Sequence, residues 1–300
     1  MENKYCIKAI SINRLNDLEK DVESIKNSDL YSELIDIITS NFYSFKLPEA
    51  PFEIKSIIVA AMPKPLVRVK FNYMDKCISL LHHTFVEVDK QKDFKSELGE
   101  LLQSQYSLID APALPQKLLA VRSGLVKYGR NNITYVKEMG SLHELITFYS
   151  DMPVEDNHWY DIMQMDFCKN CEVCINKCPT AAITKDRFLI KAERCLTYLN
   201  EFVWPMERDF PSWLDASAHN CIHGCIICQT NCPQNRGYIN DIVGNVEFTR
   251  EETLMLLEGK CLEKLPQELI HKLKELNLAE DYFSLIPRNL KVLFESQLQT

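Results

Sequence analysis

The stretch that decides the fold is Cys168-Lys-Asn-Cys171-Glu-Val-Cys174-Ile-Asn-Lys-Cys178-Pro179. Its cysteines follow the spacing Cys-x2-Cys-x2-Cys-x3-Cys-Pro, which is the ligand run of bacterial ferredoxins. In such a run, three closely spaced thiolates bind one 4Fe–4S cluster, and the cysteine before the proline binds a second cluster. The pattern therefore predicts a partner run elsewhere in the chain.

The partner run is Cys225-x2-Cys228-x3-Cys232-Pro233. Each run supplies the ligand that the other lacks, so the spacing predicts two clusters. We expect the first cluster to be bound by Cys168, Cys171, Cys174 and Cys232, and the second by Cys178, Cys225, Cys228 and one further cysteine. Structural zinc is the alternative, because four-thiolate zinc sites also use Cys-x2-Cys pairs. The triple spacing and the crosswise Cys-Pro endings favour iron–sulfur clusters.

The eighth ligand has two candidates in the same part of the sequence. Cys221 lies four residues before Cys225, one residue further than ferredoxin spacing, whereas Cys195 is remote and must fold back. Spacing alone leaves this choice open.

The composition excludes several classes of protein. The chain has 300 residues, of which 46% are hydrophobic, and 34 basic against 42 acidic side chains give a net charge of −8. This predicts one or two globular domains without a global positive field for nucleic acid or anionic lipid. The first residues lack a signal peptide and no apolar run is long enough for a bilayer, so we expect a cytoplasmic protein without a membrane partner. Twelve cysteines in a reducing compartment indicate metal or redox chemistry rather than disulfides.

Apolar spacing and turn residues predict the elements before the cysteine runs. Helices are expected over 12–42, 93–105 and 114–125, and strands over 53–62, 67–73 and 132–136. After the runs, Thr249-x-x-Glu252 predicts a capping box, and leucines from Leu265 to Leu276 predict another helix. The predicted domains are a helical lead (1–50), an α/β domain (51–155), a ferredoxin-like two-cluster domain (156–240) and a short helical C-terminal segment (241–300). The predicted fold class is therefore α+β.

The sequence also resembles a known family, the epoxyqueuosine reductases, which use cobalamin and iron–sulfur clusters in tRNA modification and share a core with corrinoid reductive dehalogenases. The resemblance extends from about residue 50 to 240. It rests on both cysteine runs and on these pieces, in the same order: Ile109-Asp110-Ala111-Pro112, Ala120-x-Arg122-Ser-Gly124-Leu125, Gly129-Arg130-Asn131, Gly140-Ser141 and Arg194-Cys195-Leu-Thr-Tyr198-Leu199.

The resemblance implies roles for individual residues. Its remote fourth ligand matches Cys195, and its proton donor matches Asp110. An acid beside a buried corrin can have its pKa raised by desolvation and so stay protonated near neutrality. The resemblance further implies that cobalamin is bound without a protein ligand to cobalt, in the α/β domain, by these residues: Asp110, Arg122, Arg130, Asn131, Thr134 and Ser141.

The activity implied by the resemblance is removal of the epoxide oxygen of epoxyqueuosine in tRNA. Electrons would pass from a donor such as a ferredoxin or flavodoxin through two 4Fe–4S clusters to cobalamin. Two alternatives remain: a two-cluster electron-transfer protein without corrinoid, and a corrinoid reductase of a small molecule. We expect a monomer.

The sequence departs from the family at its C-terminal end. The helical repeats with which the family contacts tRNA are largely missing, and residues 233–300 contain eight Lys and Arg against eleven Asp and Glu. This acidic segment predicts weak binding of tRNA.

Overall fold

The computed structural model describes residues 5–28, 32–83, 88–102, 105–155, 158–162, 164–186, 188–201, 209–279 and 282–296, with only the backbone described over 88–93. The strands are β1 (Cys6–Ser11), β2 (Ser56–Pro63), β3 (Leu66–Tyr73), β4 (Lys76–His83), β5 (Leu108–Asp110), β6 (Lys127–Tyr128), β7 (Thr134–Tyr135), β8 (His143–Ser150) and β9 (Ile242–Phe248). The helices are α1 (Leu15–Lys26), α2 (Glu33–Phe42), α3 (Val88–Leu101), α4 (Gln116–Arg122), α5 (Val173–Lys177), α6 (Leu196–Glu201), α7 (Ile227–Thr230), α8 (Arg250–Leu257), α9 (Gln267–Glu275) and α10 (Ile286–Ser296).

The chain divides into two compact units that cut across the four predicted domains. The first unit contains residues 1–63, 88–170 and 187–189, and the second contains 64–87, 171–186 and 190–300. Residues 64–87 join the C-terminal part of the chain because β3 pairs in parallel with β9. That pairing joins positions about 180 residues apart, which a reading of local sequence pattern does not detect.

A four-stranded sheet of order β1-β2-β8-β5 forms the centre of the first unit. All three of its pairings are antiparallel. Strand β2 is buried on both sides, from Ser56 to Met62, which explains its uninterrupted apolar sequence. An antiparallel sheet normally faces water on one side, and this one is covered on both.

Helices cover both faces of this sheet. On one face, α1 and α4 contribute Leu18 and Leu119 to a core that includes Ile57 and Val59 of β2. On the other face, Phe94 of α3 lies 6.1 Å from the ring of Phe148 in β8. The sheet therefore forms the middle layer of three.

The predicted helical lead needs a correction. Helices α1 and α2 confirm its helical part, but Cys6–Ser11 forms strand β1 at the edge of the sheet. Pairing with β2, in the register Cys6↔Ala61 to Ser11↔Ser56, makes this segment extended. Tertiary pairing thus decides the structure of a short segment whose own pattern is weak.

The second unit contains a three-stranded sheet of order β4-β3-β9. Strands β3 and β4 form an antiparallel hairpin, and Met74 in its turn adopts a φ of 51°. The rings of Phe71 and Phe248 stack 4.7 Å apart across β3 and β9. Helices α8, α9 and α10 each bury at least one leucine against this sheet, for example Leu256, Leu269 and Leu290.

The capping box at the start of α8 is confirmed. The Thr249 side chain accepts a hydrogen bond from Glu252 N, and the Glu252 carboxylate accepts one from Thr249 N. The mixture of sheets and helices in both units confirms the predicted α+β class. Within the described part of the chain, no helix is both long and apolar enough to cross a membrane.

Candidate iron–sulfur and cofactor site

The predicted cluster ligands are divided between the two units. Cys168 belongs to the first unit, where it lies in a 3-10 helix over Asp166–Asn170 and is 8% exposed. The Arg130 guanidinium donates a hydrogen bond to the Cys168 carbonyl, with Nη2 and O 2.6 Å apart. The other seven predicted ligands belong to the second unit: Cys171, Cys174, Cys178, Cys195, Cys225, Cys228 and Cys232.

Two short helices bring the two cysteine runs of the second unit together. Helix α5 contains Cys174 and is followed by Cys178, while α7 contains Cys228 and is followed after one residue by Cys232. The two helices pack against each other. The crosswise sharing of ligands that the spacing predicts requires this packing.

The thiols of Cys178, Cys195 and Cys225 lie close enough to interact electrostatically. Burial raises the pKa of Cys195, and the charge of Cys178 raises it further. Burial also raises the pKa of Cys225, with further contributions from Cys195 and Cys178. Such thiols are protonated until a metal replaces the proton, because iron binds the thiolate.

Hydrogen-bond donors surround the sulfurs of these three cysteines. Cys178 Sγ accepts from Ala182 N at 3.3 Å, and Cys225 Sγ accepts from Asn220 Nδ2 at 3.2 Å. Cys195 receives bonds from the backbone of Thr197 and Tyr198, which lower its pKa against the effect of burial. Donors aimed at sulfur suit thiolate ligands.

Cys221 lies in a different environment. It is 1% exposed, and its Sγ donates to Leu81 O at 3.5 Å and to Asn220 Oδ1 at 3.3 Å. Burial raises its pKa far above the ordinary value, and the nearby Cys225 and Glu201 raise it further. The backbone N–H of Ile226 also donates to this sulfur and lowers the pKa against the effect of burial.

Among the described residues, no three His, Cys, Asp or Glu side chains converge as the ligands of one metal ion.

Asp110 lies at the end of β5 in the first unit. Its side chain is 68% exposed, and its Oδ2 lies 3.5 Å from Nζ of Lys95. The Asp110 side chain therefore faces solvent rather than the interior of the unit. Lys95 was not expected from the sequence.

Arg122 makes three polar contacts within its own unit. Its Nε donates to Asp21 Oδ2 at 2.8 Å, its Nη2 contacts the other carboxylate oxygen, and its Nη1 donates to Tyr160 O at 2.8 Å. Trp159 lies under the guanidinium, with 5.7 Å between Cζ and the ring centre. These contacts join α4 to α1.

The other predicted cofactor residues lie in or beside the β6–β7 hairpin and the turn that follows it. Asn131 is buried, and its Nδ2 donates to the Tyr135 hydroxyl at 3.0 Å. The buried Thr134 hydroxyl lies 3.0 Å from His143 Nε2. Ser141 is buried nearby in sequence, at 4% exposure. The structure thus brings Arg130, Asn131 and Thr134 together in one short hairpin.

The hairpin is tightly packed at Gly129. A Cβ there would lie 2.5 Å from Tyr135 Cε2 and 2.6 Å from Asn131 Oδ1, so any other residue would force these two side chains to move. Two buried donors of the same hairpin, Arg130 Nε and Asn132 Nδ2, have no hydrogen-bond partner within the described part of the chain. A buried donor without a partner costs about 1–3 kcal/mol, so these atoms are suited to receive a ligand.

Three contact residues were missed by the sequence analysis: Asn220, Lys95 and Asp21. Asp21 and Arg122 are 101 positions apart, and no local motif links them. Asn220 precedes the second run by five positions, outside the spacing of the ligands. Only the folded chain places them beside the predicted residues.

Comparison with known proteins supports the site. Residues 167–235 match the family model described as a 4Fe-4S double cluster binding domain. This range includes all eight predicted ligands, and the predicted two-cluster domain is confirmed.

The chain is similar to named epoxyqueuosine reductases over half of its length. It is 32% identical to the Cyclobacterium marinum protein over 51% of this chain and 47% of the relative. It is 28% identical to the Bacillus subtilis protein over 50% of this chain and 36% of the relative. The chain thus spans about half, or less, of the length of these curated relatives, and the predicted family resemblance is confirmed.

Solved structures show the same fold. An epoxyqueuosine reductase from Bacillus subtilis, with its catalytic aspartate loop swung out of the active site, matches with a TM-score of 0.64 and 21% identity. An epoxyqueuosine reductase with an epoxyqueuosine-modified tRNA stem loop matches with a TM-score of 0.62 and 18% identity. Each match covers 98% of this chain and 77% of the other.

Proposed function

From the chain's relationship to the epoxyqueuosine reductases, we propose that it is an oxidoreductase with two 4Fe–4S clusters and cobalamin that removes the epoxide oxygen of epoxyqueuosine in tRNA. The observation that carries the proposal is the double-cluster domain, joined in one chain to a sheet unit of the epoxyqueuosine reductase fold. An electron carrier alone would need only the double-cluster domain.

The proposed ligands of the second cluster are Cys178, Cys195, Cys225 and Cys228. Cys195 is preferred to Cys221 because its thiol lies close to the thiols of both Cys178 and Cys225, whereas the Cys221 thiol also donates to two oxygen acceptors. A thiolate needs donors, and a neutral thiol is satisfied by acceptors. The proposed ligands of the first cluster are Cys168, Cys171, Cys174 and Cys232.

Cobalamin is proposed to contact the β6–β7 hairpin. Arg130 Nε and Asn132 Nδ2 are buried donors that the described residues leave unpaired, and the amide oxygens of a corrin are suitable acceptors. Arg130 also binds the Cys168 carbonyl, so one side chain is available to both the corrin and a cluster ligand. When bound, cobalamin supplies the reducing chemistry, while the protein binds and orients it.

Asp110 is the proposed proton donor, and Lys95 is the group that holds its carboxylate in the present structure. The exposed side chain is free to receive a substrate on the surface of β5. The proposed electron donor is a small carrier such as a ferredoxin or flavodoxin.

The test is anaerobic reconstitution of the whole chain with iron, sulfide and cobalamin. The iron, sulfide and cobalt bound per chain are then measured. We expect close to eight iron atoms and one cobalt per chain. Four iron atoms, or stoichiometric zinc, would contradict the two-cluster assignment. Eight iron atoms without bound cobalamin would instead support an electron carrier.

A further inference from the structure

We propose that Asn220 sets the reduction potential of the cluster bound by Cys225, by donating a hydrogen bond to the ligand sulfur. The inference rests on the proposed function, because it requires an iron–sulfur cluster at Cys225. It adds a residue that lies outside both cysteine runs.

The four polar contacts that the described residues make with the Asn220 amide all lie within the second unit. Its Nδ2 lies 3.2 Å from Cys225 Sγ and 3.1 Å from Ala218 O. Its Oδ1 accepts from Ile226 N at 3.2 Å and from Cys221 Sγ at 3.3 Å.

These partners fix which end of the amide faces the ligand. A backbone N–H can only donate and a carbonyl can only accept. Ile226 N therefore requires Oδ1 on its side, and Ala218 O requires Nδ2 on its side. The group that faces Cys225 must then be the NH₂ donor, independent of the usual ambiguity of asparagine orientation.

A donor in this position affects the charge of the cluster. Reduction adds an electron to the iron–sulfur core, and part of that charge appears on the ligand sulfurs. A hydrogen bond to sulfur stabilises the more negative, reduced state and raises the potential. Asn220 is only partly exposed and lies between the buried His219 and Cys221, where low dielectric strengthens the bond.

The side chain has two separable roles. Oδ1 holds the loop through Ile226 and Cys221, whereas Nδ2 contacts the ligand. Asn220→Asp keeps an oxygen for Ile226 but replaces the donor at the sulfur with a second oxygen. Asn220→Leu has nearly the same shape and removes both roles.

The experiment is an anaerobic redox titration of the reconstituted full chain, followed by electron paramagnetic resonance. In Asn220→Leu and in Asn220→Asp, we expect one of the two cluster potentials to fall and the other to stay at its wild-type value, with iron content unchanged. The matched control is Asn231→Leu, because Asn231 lies in the same module and bonds Ile227 O and Thr230 Oγ1 rather than sulfur. Its potentials should equal those of the wild type.

Cys221→Ala gives a second control. It removes a contact of Oδ1 and leaves Nδ2 on the sulfur, so both clusters and both potentials should persist. Loss of a cluster in this variant would make Cys221 a ligand and overturn the inference.

The other outcomes separate the inference from the proposed function. A wild-type chain that takes up no iron overturns both. A wild-type chain with two clusters, combined with unchanged potentials in Asn220→Leu, overturns the inference alone. A wild-type potential in Asn220→Asp would show that Oδ1, by holding the loop, is the atom that matters. Loss of one cluster from both variants would make Asn220 an assembly residue and would equally overturn the inference.

Discussion

The Asp110 carboxylate in this structure is held by a cation rather than by burial. Its side chain is 68% exposed and its Oδ2 lies 3.5 Å from Lys95 Nζ. An exposed ion pair of this kind contributes little to stability, about 0–1 kcal/mol, so it can be broken at small cost when a substrate arrives.

Asp110→Asn tests this role directly. The variant is nearly isosteric, so we expect iron content and cobalamin binding to stay at wild-type levels. Turnover of an epoxyqueuosine-containing tRNA stem-loop should fall about 10²–10⁴-fold, the usual effect of removing a general acid. Asp75→Asn is the control, because Asp75 is an exposed aspartate in the turn between β3 and β4. Loss of cobalamin from Asp110→Asn would make Asp110 a binding residue, and unchanged turnover would eliminate it as the donor.

At the scale of single residues, sequence spacing predicted the cysteines because cluster ligands must recur at short, fixed intervals. It did not predict the contact of Arg122 with Asp21. Nor did it predict Asn220 or Lys95. Contacts of this kind are formed by tertiary packing between distant segments, and a single sequence contains no local signal for them.

At the scale of elements, the long and strongly patterned segments were predictable. Strand β2 has a continuous apolar sequence because both of its faces are covered, and α8 begins at a capping box that the sequence displays. Strand β1 was missed because its six residues become extended by pairing with β2. The pairing of β3 with β9 was missed for the same reason.

The second-last residue of strand β4 is a buried histidine that makes the second unit sensitive to acid. His82 is 2% exposed, and its Nε2 lies 3.1 Å from Leu276 O, at the end of α9. Burial lowers the pKa of His82 to about 4, and the nearby Lys64 contributes in the same direction. The folded state therefore holds this ring neutral at pH values where the unfolded chain binds a proton.

Acid should weaken the stabilisation that neutral His82 gives to the folded state. Stabilisation by neutral His82 is complete above its unfolded pKa of 6.5 and is lost as the pH falls toward 4. Between pH 7.5 and 5.5 this single group should lower the free energy of unfolding by about 1 kcal/mol. His82→Gln should lose less stability over that interval than the wild type, as measured by urea unfolding and circular dichroism at both pH values.

The control for this measurement is His271→Gln, because His271 is exposed on α9. Its loss of stability between pH 7.5 and 5.5 should match that of the wild type. An equal loss in wild type and His82→Gln would show that His82 does not link folding to protons. Half-buried Glu201 acts in the opposite direction, since desolvation raises its pKa to about 7, and the comparison of variants cancels its effect.

At the scale of the whole molecule, charge bears on the proposed tRNA substrate. The chain has a net charge of −8, and residues 233–300 contain eight basic and eleven acidic side chains. Binding of nucleic acid through many phosphates requires clustered cations, whose counterions are released on binding. A protein of this charge should instead recognise a tRNA through a few contacts near the reacting base.

The dependence of tRNA affinity on salt measures the number of those contacts. An interface that neutralises six to ten phosphates loses about 10³–10⁵ in affinity between 50 and 200 mM salt. For this chain we expect a loss of about tenfold or less over the same interval, since one or two neutralised phosphates give a slope of that size. The measurement is fluorescence anisotropy of a labelled tRNA anticodon stem-loop with the reconstituted full chain, at four or more salt concentrations. The same stem-loop with a strongly basic RNA-binding domain provides the steep reference. A steep loss for this chain would mean that its few cations form a phosphate-binding surface despite the net charge. No detectable binding at 50 mM salt would instead favour a small-molecule substrate for the same cofactors.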